Sequence, residues 1–415
     1  MAKRTKTKTH TLAIVHASEL LTGTGVRRKD GRRIVQDDIG RISDGALVYT
    51  LKRSAGRLIP DRIKWVGQTA SLPKKYLTAQ KIDLKNKRAV IPGMVDCHTH
   101  LVFAGDRSDE FAARCAGATY QEIAARGGGI AATVRATRAA SIAELERLAV
   151  PRLKKAVGYG VRTIEIKSGY GLSVGDEYKI LEVIKRLKAR FLELTIVPTF
   201  LGAHAFPQDL SHEEYMRVLT DVMLPEVARR KLADSCDIFI DEGYFSIHEA
   251  RVLLEKARTL GLSVKIHADE LFDTGATGLA AEIGALSADH LLKISDDGIR
   301  RLANSNTVAV LLPGTALFLK AKYAPARKLI DAGAAVALAT DFNPGTCMCL
   351  SLPVIMALAA VNMCMGAAEI FAAITYNGAK ALGLEKNKGT LEPGMDADFT
   401  ILPFKRFEEC YYQLG

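Results

Sequence analysis

The sequence predicts a (β/α)8 barrel of the TIM-like type, with a small β-sandwich domain built from both termini. Three observations predict it. Eight short runs of β-branched and aliphatic residues recur along the chain, each followed by a helical pattern, as in parallel-stranded α/β folds. Several runs end in His, Asp or Lys, and such a barrel builds its site at the C-terminal ends of its strands. Turn-rich, strand-like stretches lie outside the eight runs, at both ends of the chain. The expected division is residues 1–90 plus 385–415 for the small domain and residues 91–384 for the barrel.

Taken in order, the first residues, Met1 to Lys8, are basic like the head of a signal peptide. The apolar stretch after them is short and lacks a cleavage site, so a cytoplasmic location is expected. Residues 45–49 and 62–66 read as strands, and Asp30-Gly31 as a hairpin turn. The eight runs are 91–100, 161–167, 195–204, 237–241, 264–267, 286–290, 307–312 and 335–341. Helical patterns separate them, such as the one opened by Ser141 with Glu144 three residues on. The tail returns to turn residues at 389–398 and a last strand at 399–402.

Composition narrows the function. At 415 residues, with 48% hydrophobic and 25% charged side chains, the chain suits a globular protein with a sizeable core. No apolar run approaches the roughly 20 residues of a membrane-spanning helix, so no membrane partner is expected. The net charge is +11. Arg27, Arg28, Lys29, Arg32 and Arg33 could form a nucleic-acid footprint, but the other basic residues are interleaved with acids. With one Trp and no recognition motif, no nucleic-acid partner is expected; a positive field suits a small anionic substrate. The seven cysteines are scattered without a C-x-x-C pair, which indicates reduced thiols.

Four residues at run ends form a ligand set for one metal ion: His98, His100, His267 and Asp341. Two histidines spaced as His-x-His on a strand share a face, and His267 and Asp341 bring a third imidazole and a carboxylate, leaving a position open for water. A pair of core histidines would read the same way alone; the later ligands argue for metal. Asp341 could accept a proton from that water while remaining a ligand. Glu270, three residues after His267, suits a proton shuttle, its plainer alternative being a solvated loop carboxylate. His290 could orient the attacking water or stabilise an oxyanion, or be a buried histidine bonded to Asp289. No lysine closes the fourth run, which points to one metal rather than a lysine-bridged pair, and Lys167 is expected in structure or substrate contact. The glycines 127–129 lack the phosphate-loop context and would let a loop approach the pocket.

The pattern Val95-Asp-Cys-His-Thr-His100 resembles the first strand of the amidohydrolase superfamily. The likeness runs from about Pro92 to Asn377, through blocks at 98–107, 126–138, 165–171, 200–204, 312–314 and 341–345. It is similar above all to the branch that acts in histidine degradation. That resemblance implies hydrolysis of the cyclic amide of 4-imidazolone-5-propanoate to N-formimidoyl-L-glutamate, with one divalent or trivalent metal ion, zinc or iron. It implies Glu270, His290 and Asp341 as catalytic residues and Arg107 as the partner of the propanoate carboxylate. Tyr170 and His204, with Glu270, would meet the ring, Asn343, Gly345 and Thr346 would line the product side, and a homodimer is expected. The chain departs from the family in Cys347 and Cys349, where small hydroxyl residues are usual, in the basic 27–33 segment, and in the tail after Leu402, where another strand is usual. The rival expectations are a related amidohydrolase that deaminates a nucleobase-like ring and a non-catalytic scaffold. Arg107 and the 167–170 block argue against the first, and the complete ligand set against the second.

Overall fold

The computed structural model describes residues 10–118, 122 and 127–414. The Met1–Lys8 segment and Arg126 lie outside the described residues. Five strands come first: β1 (His10–Leu21), β2 (Arg41–Ser54), β3 (Arg57–Gln68), β4 (Gln80–Asp83) and β5 (Val90–Pro92). Eight more follow: β6 (Met94–Asp96), β7 (Val161–Lys167), β8 (Thr195–Ala203), β9 (Ser235–Ile240), β10 (Ser263–Ala268), β11 (Ser287–His290), β12 (Val308–Leu311) and β13 (Val336–Leu338). The last is β14 (Phe399–Ile401).

β6 to β13 pair in sequence order, all parallel, into an eight-stranded sheet. Each matches one of the eight expected runs. The two ends of this sheet meet just beyond β6 and β13. There Thr99 bridges Phe342, Asp341 N donates to His98 O at 3.0 Å, and His100 N donates to Phe342 O at 2.9 Å. This seam joins the first and last strands at the C-terminal end of the barrel. Residue alternation within each strand assigns the two faces. Ile164 and Ile166 of β7, and Val264 and Ile266 of β10, pack into the large apolar layer beneath the helices, whereas Glu165, Lys167, Lys265 and His267 point inward.

Serine starts many of the barrel's helices. Ser141 caps the helix Ile142–Gly158 as expected, its hydroxyl accepting from Glu144 N at 3.2 Å. Ser246 and Glu249 form a reciprocal capping box before Ile247–Thr259. Each cap satisfies backbone donors the first helical turn leaves open, worth about 1 kcal/mol.

The remaining six strands form one mixed sheet, ordered β14-β5-β1-β2-β3 with β4 beside β1, so that it draws on both ends of the chain. Apolar clusters cover both faces: Leu20, Leu47 and Ile63 on one, Val15, Val48 and Trp65 on the other. The expected strands at 45–49 and 62–66 lie in β2 and β3. Their hairpin is closed by Ala55-Gly56, both at positive φ, 44° and 80°.

Asp30-Gly31 is not a hairpin turn. It follows a short helix, Thr24–Arg28, and locks the N-terminal segment onto the barrel. Lys380 and Tyr376 donate to the Asp30 carboxylate, and Asn377 Nδ2 donates to Gly31 O at 2.9 Å. A Cβ on Gly31 would lie 1.6 Å from Asn377 Oδ1, so the contact requires glycine. Of the basic segment, Arg27, Arg28, Lys29 and Arg33 are exposed, and Arg32 reaches inward. Arg32 donates to the carbonyls of Ala303, Gly333 and Ser305, which precede β12 and β13, and Lys29 pairs with Asp38 at 2.7 Å. These contacts brace the N-terminal end of the barrel, the end that serves stability rather than chemistry. No helix among the described residues is long and apolar enough to cross a membrane.

Candidate active site

His98 and His100 lie beyond the end of β6, in the seam, rather than on the strand itself. The alternation of the strand continues through them: Thr99 turns away and donates to Glu165 O at 2.6 Å, while the two imidazoles face inward with ring centres 5.4 Å apart. His267, on β10, brings a third ring to 4.5 Å from His98 and 5.6 Å from His100. Asp341 completes the group from the other side of the seam, its Oδ1 3.5 Å from Nε2 of both His98 and His100. Its Oδ2 accepts from Thr315 Oγ1 at 2.5 Å, which leaves one oxygen for the centre.

The chemistry of this donor set fits a metal ion. Nε2 of both His98 and His267 is buried without a hydrogen-bond partner among the described residues. Orphaned polar atoms of this kind are costly in a folded interior unless something binds them. Donor atoms of His98, His100 and Asp341 lie within 4.8 Å of one another, as do those of His98, His267 and His290. Burial, then the Lys167 charge, hold His98 well below the ordinary imidazole range, and burial does the same for His100. Both rings are therefore neutral, the form that ligates.

Beneath the imidazoles lies a layer of charge. Asp289 Oδ2 is 2.6 Å from His98 Nδ1, and Asp237 Oδ2 is 3.0 Å from His267 Nδ1, so both rings turn Nε2 to the centre. Lys167 Nζ lies 2.6 Å from Asp237 and 2.9 Å from Glu165. Lys265 Nζ donates to Glu165 and to Cys97 O, both at 2.9 Å, and stands 3.5 Å from Asp289. These five charged residues are between 0% and 1% exposed, so each depends on the others for its solvation. Lys167, expected in structure or substrate contact, lies in this layer with Glu165, Asp237 and Lys265, which were not among the sequence candidates. Their signal was available: charged residues inside strands of a parallel sheet, which ordinarily read as unbroken apolar runs.

Glu270 sits on the loop after β10 with its Oε1 3.5 Å from His290 Nδ1. Burial, reinforced by the charges of Asp341 and Asp241, pushes its carboxyl well above the usual range. Its neighbours are pinned on both sides. Asp269 accepts backbone N–H groups from Thr274, Ala276 and Thr277, and Asp241 accepts those of Leu271 and Phe272. His290 is not bonded to Asp289, whose carboxylate belongs to His98 and the lysines. Two successive residues in the left-handed region, His290 at φ 81° and Leu291 at φ 61°, turn its ring into the site, 5.2 Å from His267. Such a backbone stores strain of about 1–3 kcal/mol per residue.

Of the expected substrate residues, Tyr170 and His204 lie beside His100, and Asn343 bonds to Asp341. His204 stacks on His100 at 5.0 Å and 17°, with Nδ1 3.0 Å from Gly169 O, and the Tyr170 ring is 5.7 Å from His100. Gly169, at φ 111°, has no room for a Cβ, which would lie 2.9 Å from His204 Nδ1. The buried carboxylate of Glu177, absent from the sequence candidates, accepts N–H groups from Gly169, Gly171 and Leu172 and so shapes the loop carrying Tyr170. Arg107 lies against Gly345, where a Cβ would be 2.2 Å from Nη1. Asn343 turns its amide inward: Oδ1 accepts from Gly345 N at 2.8 Å and Thr346 N at 2.7 Å, and Nδ2 donates to Asp341 O at 2.7 Å. The Asn343 side chain thereby ties the Gly345–Thr346 turn to Asp341.

A parallel barrel with three imidazoles and a carboxylate at its strand ends defines the class of barrel hydrolases that work with a metal ion. The chain matches the model of the Amidohydrolase family over residues 89–409. It is 47% identical over 411 residues to an Imidazolonepropionase of Symbiobacterium thermophilum, covering 97% of this chain and 93% of that one. It is 50% identical over 339 residues to an Imidazolonepropionase of Geobacillus kaustophilus, covering 81% and 80%. Among solved structures, guanine deaminase from C. acetobutylicum shares the fold, with a TM-score of 0.66 at 16% identity over 94% of this chain and 90% of that one. The chain belongs to the amidohydrolase family and, within it, to the imidazolonepropionases.

Proposed function

We propose that the chain opens the cyclic amide of 4-imidazolone-5-propanoate to give N-formimidoyl-L-glutamate, a step of histidine degradation. In this reading His98, His100, His267 and Asp341 hold one divalent or trivalent metal ion, zinc or iron. The observation that carries it is the convergence of these four side chains, with orphaned ring nitrogens, in a chain 42–50% identical to imidazolonepropionases. When bound, such an ion acidifies water and polarises the carbonyl that faces it.

The other residues bind, orient and move protons. Arg107 holds the propanoate carboxylate, a task suited to a planar guanidinium. Tyr170 and His204 wall the ring, and the turn of Asn343, Gly345 and Thr346 borders the product. The water oxygen bonds to the ring carbonyl carbon, and the ring C–N bond breaks. Asp341 or His290 takes the water's proton, and Glu270, protonated by virtue of its burial, gives one to the departing nitrogen. A transfer from Asp341 or His290 to Glu270 then restores the starting state, so one water is consumed and no proton is left over. The seven free thiols support a reducing, cytoplasmic location.

Glu270→Gln is expected to lower kcat roughly 100- to 10,000-fold while metal content is retained, read by steady-state kinetics and elemental analysis. The test of the whole reading supplies freshly prepared 4-imidazolone-5-propanoate with and without a chelator. N-formimidoyl-L-glutamate without ammonia, lost on chelation, is the expected result. Release of ammonia would overturn it in favour of deamination. Decay no faster than in buffer, with metal bound, would overturn the substrate.

A further inference from the structure

A second arginine reaches the turn that Arg107 touches. Arg114, one face along the helix Ser108–Cys115, donates from Nη2 to Gly345 O at 2.9 Å. Arg107 lies against the Cα of the same glycine. Between the two cations on that helix stands Glu110. It accepts from Arg107 Nε at 2.9 Å and lies 2.8 Å from Arg107 Nη2, while also accepting Gly129 N at 3.1 Å. Arg107 is thus held by its Nε edge, which leaves Nη1 at the Gly345 turn. The Nε–H of Arg114 is buried with no partner among the described residues. Burial, then the like charge of Arg107, depress Arg114 below its ordinary value. Arg107 is near enough to the Tyr170 hydroxyl for its charge to act on it, against that of Asp341.

We propose that Arg114 is a second recognition residue for the substrate's carboxylate, and that Glu110 is a positioning residue that fixes Arg107 for the same task. This rests on the functional reading above, in which the substrate is an anion. Glu110 pairs with Arg107, so Arg114 brings a further positive charge to the same turn, which a monoanion would neutralise. A bidentate or twin-arginine seat also discriminates by geometry, because an uncharged amide offers one acceptor and repels with its N–H groups.

The experiment compares the holoenzyme with Arg114→Gln, Arg114→Lys, Glu110→Ala and Glu110→Gln. Each is assayed with 4-imidazolone-5-propanoate and with its propanamide analogue. Arg114→Gln is expected to raise KM for the carboxylate roughly 10-fold, with a smaller effect on kcat, and to lower the acid-to-amide ratio of kcat/KM by about the same factor. Arg114→Lys recovers part of the ratio. Glu110→Ala raises KM similarly, and Glu110→Gln, which keeps an acceptor for Nε–H, restores most of it. An unchanged ratio in Arg114→Gln, or equal losses for both substrates, would overturn the role of Arg114. Equal losses in both Glu110 variants, or none in either, would overturn positioning. If the wild-type enzyme turns over neither compound, the functional reading fails instead.

Discussion

His267→Ala is expected to yield a folded protein that retains neither metal nor turnover. Among the described residues, Nε2 of His267 has no hydrogen-bond partner, while its Nδ1 lies 3.0 Å from Asp237. The ring is also central to the group, with neighbours at 4.5 Å and 5.6 Å in His98 and His100. Its removal does not strip Asp237 of a partner, because Lys167 remains 2.6 Å away. The fold should therefore survive, as circular dichroism would show. Elemental analysis should find the metal gone after dialysis, and kcat/KM should fall at least about 1,000-fold, the scale of several kcal/mol of lost charge stabilisation. Asp237→Asn leaves the ring in place and is expected to weaken metal affinity by only roughly 10- to 100-fold. Full metal retention by His267→Ala would sink the ligand assignment.

The second large effect concerns stability. Lys265→Met removes the cation that lies 2.9 Å from Glu165 and 3.5 Å from Asp289, in a layer sealed from water. Methionine nearly fills the space, so the loss is electrostatic: two carboxylates face each other across Lys167 with half their compensation gone. Unpairing a buried ion in this way costs about 3–5 kcal/mol. A drop of several degrees in the unfolding midpoint is expected. Arg229→Ala, which breaks an exposed pair with Glu226, should leave the midpoint nearly where it was. Similar behaviour of the two variants would mean that the buried layer is reached by solvent.

How legible these features were differs by element, for physical reasons. The eight barrel strands stand out because each is a short apolar run bounded by turn residues, and the serine caps mark many of the intervening helices. The metal-binding candidates were legible for a related reason: polar residues that close apolar strands have few explanations besides chemistry. Asp30-Gly31 misled because an αL-prone pair serves equally as a hairpin turn and as the end of a helix, and only the tertiary contact with Asn377 decides. The true hairpin, at Ala55-Gly56, was hidden by an alanine at positive φ. Lys265 and Glu165 escaped notice because a charged residue that alternates with Ile or Val looks like the solvated face of a strand. In a closed barrel that face is the interior. For His290, the plainer alternative of a buried histidine bonded to Asp289 does not hold, since adjacent strand residues point to opposite sides.

The seam between residues 98–100 and 341–342 ties the making of the site to the order in which the chain is made. Its two halves are separated by most of the barrel's length, so the contacts that align His98, His100 and Asp341 span more than half of the chain. Such contacts form late in folding, after the loops between them have been closed. During synthesis the three histidines emerge long before Asp341 and its seam partner Phe342. A partly made or partly folded chain therefore holds an incomplete set of ligands. High-affinity metal uptake then reports the last closure of the barrel, and an ion that binds the finished ring stabilises it against reopening.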